Sequence, residues 1–406
     1  MPVLCKGFFP LPAGAGCHGD RLAGTRWALF LLLSAASVAI SQQSFVPPSA
    51  VAESPQAADQ TRPALSHRPP PNPAEGQIKL DVLVTDDAGR PVAGLEEKDF
   101  ALLDNKKPRP LLSFRAVDGV LGAGPGEPPV QVILLVDVAN TSLRVVANER
   151  YQIEGFLRRN GGSLTHPTSL MVFDGRGVKG LPEPTMDGNL LADELNEVET
   201  TIHSIPMTIE RDADRLTLSL NTLQLITDAE DKRPGRTILI WIGEGWPMLE
   251  NSRIQFTKHD YEVQFDRVVT TSRGLREARI TLYSIYPVDP GTTDEPRVQH
   301  YGSFLKGVPS VNQVRPGDLA LPVLAIHSGG RALVAPGDLG DQIAGCIAEA
   351  KSYYTLTFDP AAGKHVDEYH ELAVDVDKPG LKARTSAGYY AEPTFLFTLP
   401  ALSVQH

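Results

Sequence analysis

Between residues 130 and 352 the sequence alternates short apolar runs with longer stretches of helical periodicity, and this constrains the fold more than any other feature. "VQVILLV", "SLMVFD", "RTILIWI" and "ITLYSIY" are β-rich and apolar on both faces. A strand reads that way only when both faces of its sheet are covered, as in a parallel sheet with crossover helices. The intervening stretches supply those helices. One runs from about Leu143 to Arg159, with Val146, Ile153, Phe156 and Leu157 inward. Another is "NLLADELNEV", and a third is "YEVQFDRVVTTSRGLREA". "DRLTLSLNTLQLITD" fits a strand through Leu216, Leu218 and Leu220, and a helix through Leu216, Leu220 and Leu223. Its place between two parallel strands selects the helix. "RALV" adds a short strand, and a last helix carries Leu339, Ile343, Cys346 and Ile347 on one stripe, which makes Cys346 a buried apolar residue. The fold class is α/β, a doubly wound and mostly parallel sheet.

Both flanks are β in character. "IKLDVLV" alternates Ile78, Leu80, Val82 and Val84; "DDAG" makes a turn; "KDFALLDN" and "RPLLSFRAV" follow. After the α/β region come "SYYTLTF" and "ELAVDVDKPGLKARTS", the latter two strands about a Pro-Gly turn. Forty-odd residues seldom bury enough apolar surface to stand alone. About four strands before and three after therefore suggest one seven-strand, immunoglobulin-like β-sandwich into which the α/β domain is inserted. The expected organisation is 1–41 signal peptide, 42–76 Pro-rich linker, 77–118 N-terminal β module, 119–129 linker ("GVLGAGPGEPP"), 130–352 α/β domain, 353–391 C-terminal strands and 392–406 tail.

Arg21 and Arg26 precede "WALFLLLSAASVAI", with Ala39 and Ser41 at suitable −3 and −1 positions, which reads as a secretory signal cleaved after Ser41. Retention of the segment as an N-terminal anchor is the alternative. The chain is then exported: periplasmic, envelope-associated or secreted, with no membrane span after cleavage. Net charge is −11, which argues against nucleic acid or anionic membrane as partner. Only Cys346 would remain after cleavage, so no intramolecular disulfide forms.

Two motifs, "ILLVDVANT" and "ILIWIGEG", resemble those of a von Willebrand factor type A (VWA) domain. With "LDVLVTDDAGRPVAGLEEKDFALLDNKK", "LAIHSGGRAL", "SYYTLTFDP" and "LKARTSAGYYA", the stretch 77–391 resembles the secreted bacterial VWFA-related family best known from acidobacteria. The resemblance implies a metal-ion-dependent adhesion site at the carboxyl ends of the strands, built from D-x-S-x-S, a distant threonine and an aspartate in a T-D-G-like turn. Such a site holds Mg²⁺, a hard ion that wants six oxygens at about 2.0–2.1 Å, and a partner's carboxylate completes the shell. By position, Asp137 matches the first aspartate and Thr141 the second serine. Thr208 is the candidate distant threonine, with Thr200 and Thr201 competing. Glu244 stands for the aspartate and Gly243 for the turn threonine, while Ala139 replaces the first serine and cannot coordinate. The site is degenerate.

Three readings stand: weak binding of Mg²⁺, Ca²⁺ or Mn²⁺, with the Asn140 amide oxygen compensating; tight binding; or no metal, with Asp137 accepting backbone N–H bonds ahead of the next helix. Trp246 either lines the binding face with Asn140 or caps the sheet edge. No G-x-S-x-G or Cys–His pairing is present, "GAGPG" follows no strand, and "HVDEYHE" (His365, Glu368, His370, Glu371) matches no zinc spacing and reads as solvated loop and edge. The expected function is non-enzymatic adhesion- or scaffold-type binding of an extracytoplasmic protein or surface polymer. The rivals are an enzyme with a site in 288–318 or between domains, and an inert envelope component.

Overall fold

A computed structural model describes residues 76–118, 128–198, 209–247, 256–288 and 297–393, all within one compact unit, Pro69–His406. The expected signal peptide, nearly all of both linkers, Thr200, Thr201, Thr208, residues 289–296 and most of the tail lie outside the described residues.

The α/β region carries β5 (Gln131–Asp137), α1 (Leu143–Leu157), β6 (Ser163–Phe173), β7 (Val178–Asp187), α2 (Gly188–Glu197), α3 (Ile209–Glu230), β8 (Thr237–Ile242), α4 (Lys258–Glu277), β9 (Ile280–Pro287), α5 (Leu321–His327), β10 (Ala332–Ala335) and α6 (Leu339–Ala348). Its six strands run in the order β10-β9-β8-β5-β6-β7, parallel except for β7. This mixed architecture is consistent with a VWA or Rossmann-like fold. The order reverses direction between β5 and β8, the switch point beyond which open α/β sheets hold their ligands. Every residue of β8 is buried, as the continuous apolar reading required. One core lies under α1, α2 and α6, and the other under α3 and α4. In α3, Leu216, Leu220 and Leu223 are buried while Leu218 is exposed, which settles the ambiguous stretch as helix.

β7 has no counterpart in the sequence reading. Its "VKGLPEPTMD" contains Pro182 and Pro184, which argue against a strand interior. It pairs only with β6, and on an edge strand a missing N–H costs no ladder bond.

The flanking β segments are β1 (Ile78–Thr85), β2 (Phe100–Asp104), β3 (Lys107–Arg109), β4 (Ser113–Asp118), β11 (Ser352–Phe358), β12 (Glu368–Val376), β13 (Lys382–Arg384) and β14 (Gly388–Ala391). They form two four-stranded antiparallel sheets, β13-β1-β11-β4 and β14-β12-β2-β3. Each mixes strands from both ends of the chain. Leu80 pairs with Leu356 and Leu102 with Val374, and one apolar cluster, including Val82, Leu102, Tyr354, Phe358 and Leu372, joins the sheets. Eight strands are present rather than seven, because "GYYA" adds β14. The Pro379–Gly380 turn does not make a hairpin: β12 pairs with β14 and β2, whereas β13 crosses to pair with β1. His370 is not solvated either. It is buried, with Nδ1 2.7 Å from Asp104 Oδ1, and the Tyr389 hydroxyl donates to Asp104 Oδ2 at 2.8 Å.

Arginines tie the α/β layer to these sheets. Arg279, at the start of β9, donates to both oxygens of Asp81 on β1 at 3.0 and 2.7 Å, and Thr355 Oγ1 donates to Asp81 at 3.0 Å. Burial alone would raise the Asp81 carboxyl, but Arg279 beside it holds it below its ordinary value. Arg236 lies over Tyr353 of β11 at 4.6 Å, and Arg384 of β13 pairs with Glu349 beyond α6, which also meets Arg331 at 2.8 Å. Cys346 is buried, and its thiol is pushed up to about 12 by burial, so it is inert at neutral pH.

Removing one partner of a buried pair leaves an uncompensated charge, at a cost of about 3 kcal/mol or more. Arg279→Leu is therefore expected to lower the urea midpoint strongly, and Asp81→Asn on that background to recover at least half of the loss. Additive effects of the two changes would show that the pair does not couple the layers.

Candidate functional site

Parallel pairing of Val136 with Ile242 brings the ends of β5 and β8 to one rim of the sheet, at the switch point. Asp137 closes β5 and Glu244 follows β8. Gly243 fits between them because it has no side chain. A Cβ there would lie 2.8 Å from Thr141 Oγ1 and 2.9 Å from Asp137 Cβ. The position that a threonine fills in the resembled motif is closed in this chain.

Asp137 is fully buried, and its carboxylate faces donors. Oδ1 accepts from Asn140 N at 2.9 Å; Oδ2 accepts from Asn140 Nδ2 at 2.8 Å and from Trp241 Nε1 at 2.8 Å. The Ala139 backbone N–H, beside it, donates to Phe173 O at 3.2 Å. A carboxylate offers about four lone-pair positions, and three N–H groups occupy them here. Burial pushes Asp137 up to about 6, against the downward pull of Asn140, Trp241 and Ala139. The geometry matches the backbone-capping alternative for Asp137, with two side-chain donors added.

The other expected residues are placed as follows. Thr141 is buried, and its Oγ1 accepts from Glu244 N at 3.1 Å. Glu244 is partly exposed, and its Oε2 accepts from Ser142 N at 2.6 Å, just ahead of α1. Asn140 does not offer its amide oxygen toward Asp137. Its Nδ2 bridges Asp137 and Ser219 Oγ (2.9 Å) of α3, and Oδ1 is buried without a partner. Trp246 does not line an open face: at 3% exposure it packs edge-on against Trp241, with centroids 5.0 Å apart. Thr208 lies outside the described residues.

These residues do not fit a resident divalent ion at Asp137. Three N–H groups already donate to it, Ala139 brings no ligand, and Gly243 leaves no room for a hydroxyl. Among the described residues no three His, Cys, Asp or Glu side chains stand together as a metal cage.

One buried acid was missed. Glu149, on α1, sits in the inward stripe between Val146 and Ile153, fully buried, with neither carboxylate oxygen bonded. Burial raises its carboxyl well above the ordinary value, and the negative charges of Asp137 and Glu244 raise it further. An acid in the middle of an apolar helical stripe was the available signal.

No family model matches the chain, and no curated protein sequence does. Solved structures with a similar fold include an aerotolerance-related membrane protein from Bacteroides fragilis NCTC 9343, at 12% identity and TM-score 0.31, covering 54% of this chain and 98% of that one. The human COPII-coat protein Sec24c has 6% identity and TM-score 0.32, covering 69% and 46%. The SpRpn10 VWA domain has 11% identity and TM-score 0.27, covering 52% and 93%. At these scores the fold assignment rests on the strand order and the rim itself.

Glu149 gives a pH signature. Its proton is held more tightly in the folded chain than in the unfolded one. The stability this contributes is complete below the unfolded value, about 4.5, and is lost as pH rises toward the raised folded value. Asp137 adds the same slope between 3.8 and about 6. Glu149→Gln is expected to match the native chain at pH 4 and exceed it in stability at pH 7.5 in urea unfolding. An unchanged pH profile would place a counter-charge beside Glu149.

Proposed function

We propose that this chain is an exported, non-enzymatic binding protein. In this reading a VWA-type domain is inserted in an immunoglobulin-like sandwich, and its rim at Asp137–Ser142 and Gly243–Glu244 meets an extracytoplasmic protein without a divalent ion. The observation that carries the reading is the juxtaposition of Asp137 and Glu244 at the switch point of the six-stranded sheet. The three N–H groups that donate to the Asp137 carboxylate support metal independence. The arginine pairs between layers support a rigid platform behind the rim. No helix among the described residues is long and apolar enough to cross a membrane.

A photo-crosslinking residue at exposed Ser142, compared with one at exposed Glu371 on β12, tests this in the native envelope. Adducts formed at 142 and not at 371, and undiminished by EDTA, are expected. Equal labelling at both positions would remove the rim as the contact surface, and EDTA-sensitive adducts would restore a metal.

A further inference from the structure

We propose that Asn160 is a self-modification site: the backbone nitrogen of Gly161 attacks the Asn160 side-chain amide, and position 160 becomes aspartate or isoaspartate. The site lies at the amino end of β6, the end of the sheet opposite the rim, so it stands apart from the binding reading.

Three observations carry it. First, the fold selects the reactive pair of residue types. Between α1 and β6 the chain reverses through Arg159–Gly162, with Asn160 at φ 53°, ψ 35° and Gly161 at φ 70°, ψ 19°. Two successive left-handed residues are what Asn-Gly adopts at least cost. Second, both reacting groups are open to water. Asn160 and Gly161 are exposed, and a Cβ placed on Gly161 would meet nothing within 4 Å beyond its chain neighbours, so no packed side chain shields the nitrogen. Third, the comparable pairs among the described residues are tied down. Asp174, before Gly175, accepts from Arg176 N at 2.9 Å and Gly177 N at 3.2 Å. Asp187, before Gly188, caps α2 by accepting from Asn189 N at 2.9 Å and Leu190 N at 3.2 Å, and a Cβ on Gly188 would lie 2.2 Å from Leu157 O.

The step balances without a redox partner. Gly161 N forms a bond to Asn160 Cγ and gives up its proton, and the side-chain nitrogen leaves with a proton as ammonia. The product is a five-membered succinimide. Water then opens the ring at either carbonyl. Breaking the bond to Cγ leaves aspartate; breaking the bond to the backbone carbonyl carbon leaves isoaspartate, whose main chain runs through the side chain and is one methylene longer. Aspartate tolerates the left-handed backbone but adds negative charge just past the C-terminal end of α1, where the helix dipole disfavours it. Isoaspartate does more, because the turn is held from both sides. Ser163 N donates to Asn160 O, and Asn189 Nδ2 of α2 donates to Gly161 O at 2.8 Å. An inserted methylene misaligns both bonds and loosens the junction of α1, α2 and β6.

The test incubates the full chain at 37 °C for two weeks at pH 8.5 and at pH 6.0, followed by peptide mapping with mass spectrometry and enzymatic methylation of isoaspartate. The peptide carrying Asn160 is expected to convert at least tenfold faster than those carrying Asn105, Asn140 and Asn189, to give both products, and to convert more slowly at pH 6.0, where the attacking nitrogen loses its proton less readily. The urea midpoint of the native chain is expected to fall during incubation at pH 8.5. Asn160→Gly keeps the left-handed backbone without the amide, and its midpoint is expected to hold. Conversion at Asn160 no faster than at the other three asparagines, or aspartate formed there without isoaspartate, would overturn the proposal.

Discussion

A carboxylate sealed in the middle of a sheet has to be answered, and in this chain the answer is N–H donors. Asp137 ends the central strand with no exposure to water, and its two oxygens receive bonds from the Asn140 backbone and side chain and from Trp241. Those bonds draw the β5–α1 loop back onto the strand end, hold the Trp241 indole of β8 against the end of β5, and through Asn140 reach Ser219 on α3. The loop geometry that results leaves Thr141 and Ser142 to hold the backbone and side chain of Glu244. The rim is assembled from one buried charge outward.

The same loop shows how a motif that resembles a metal site is built differently here. Replacing serine by Ala139 removes a ligand, but the larger effect lies in the donors brought in. An indole N–H and an amide N–H beside a desolvated carboxylate give charge-assisted bonds in a low-dielectric setting, where each is worth more than at the surface. Gly243 completes the change, since the space a threonine needs is taken up by Thr141 and Asp137.

Much of this was legible from the sequence. Continuous apolar strands marked the parallel sheet, and the two acids after "ILLV" and "ILIWIG" marked one rim. The strand alternation of Ile78–Val84 and of Leu372–Val376 marked two halves of a β layer. What stayed hidden depends on pairing, which leaves little local trace. The prolines of β7 argue against a strand unless its edge position is known. The Pro379–Gly380 turn looks like a hairpin, but its arms join different sheets. His370 reads as solvated until Asp104, far away in sequence, packs beside it. Glu149 could have been found from its place between Val146 and Ile153, and Trp241 as a donor could not, because an apolar strand residue gives no hint of where its N–H points.

The most direct measurement of the central claim is the ¹H–¹⁵N signal of the Trp241 indole and its exchange with solvent. A bond from Nε1–H to the buried Asp137 carboxylate predicts a strongly protected indole proton, indifferent to 10 mM Mg²⁺ or EDTA and exposed to exchange by Asp137→Ala. An indole proton that exchanges freely in the metal-free chain, or that moves when Mg²⁺ is added, would mean that Asp137 keeps its lone pairs for a cation, contrary to the account given above.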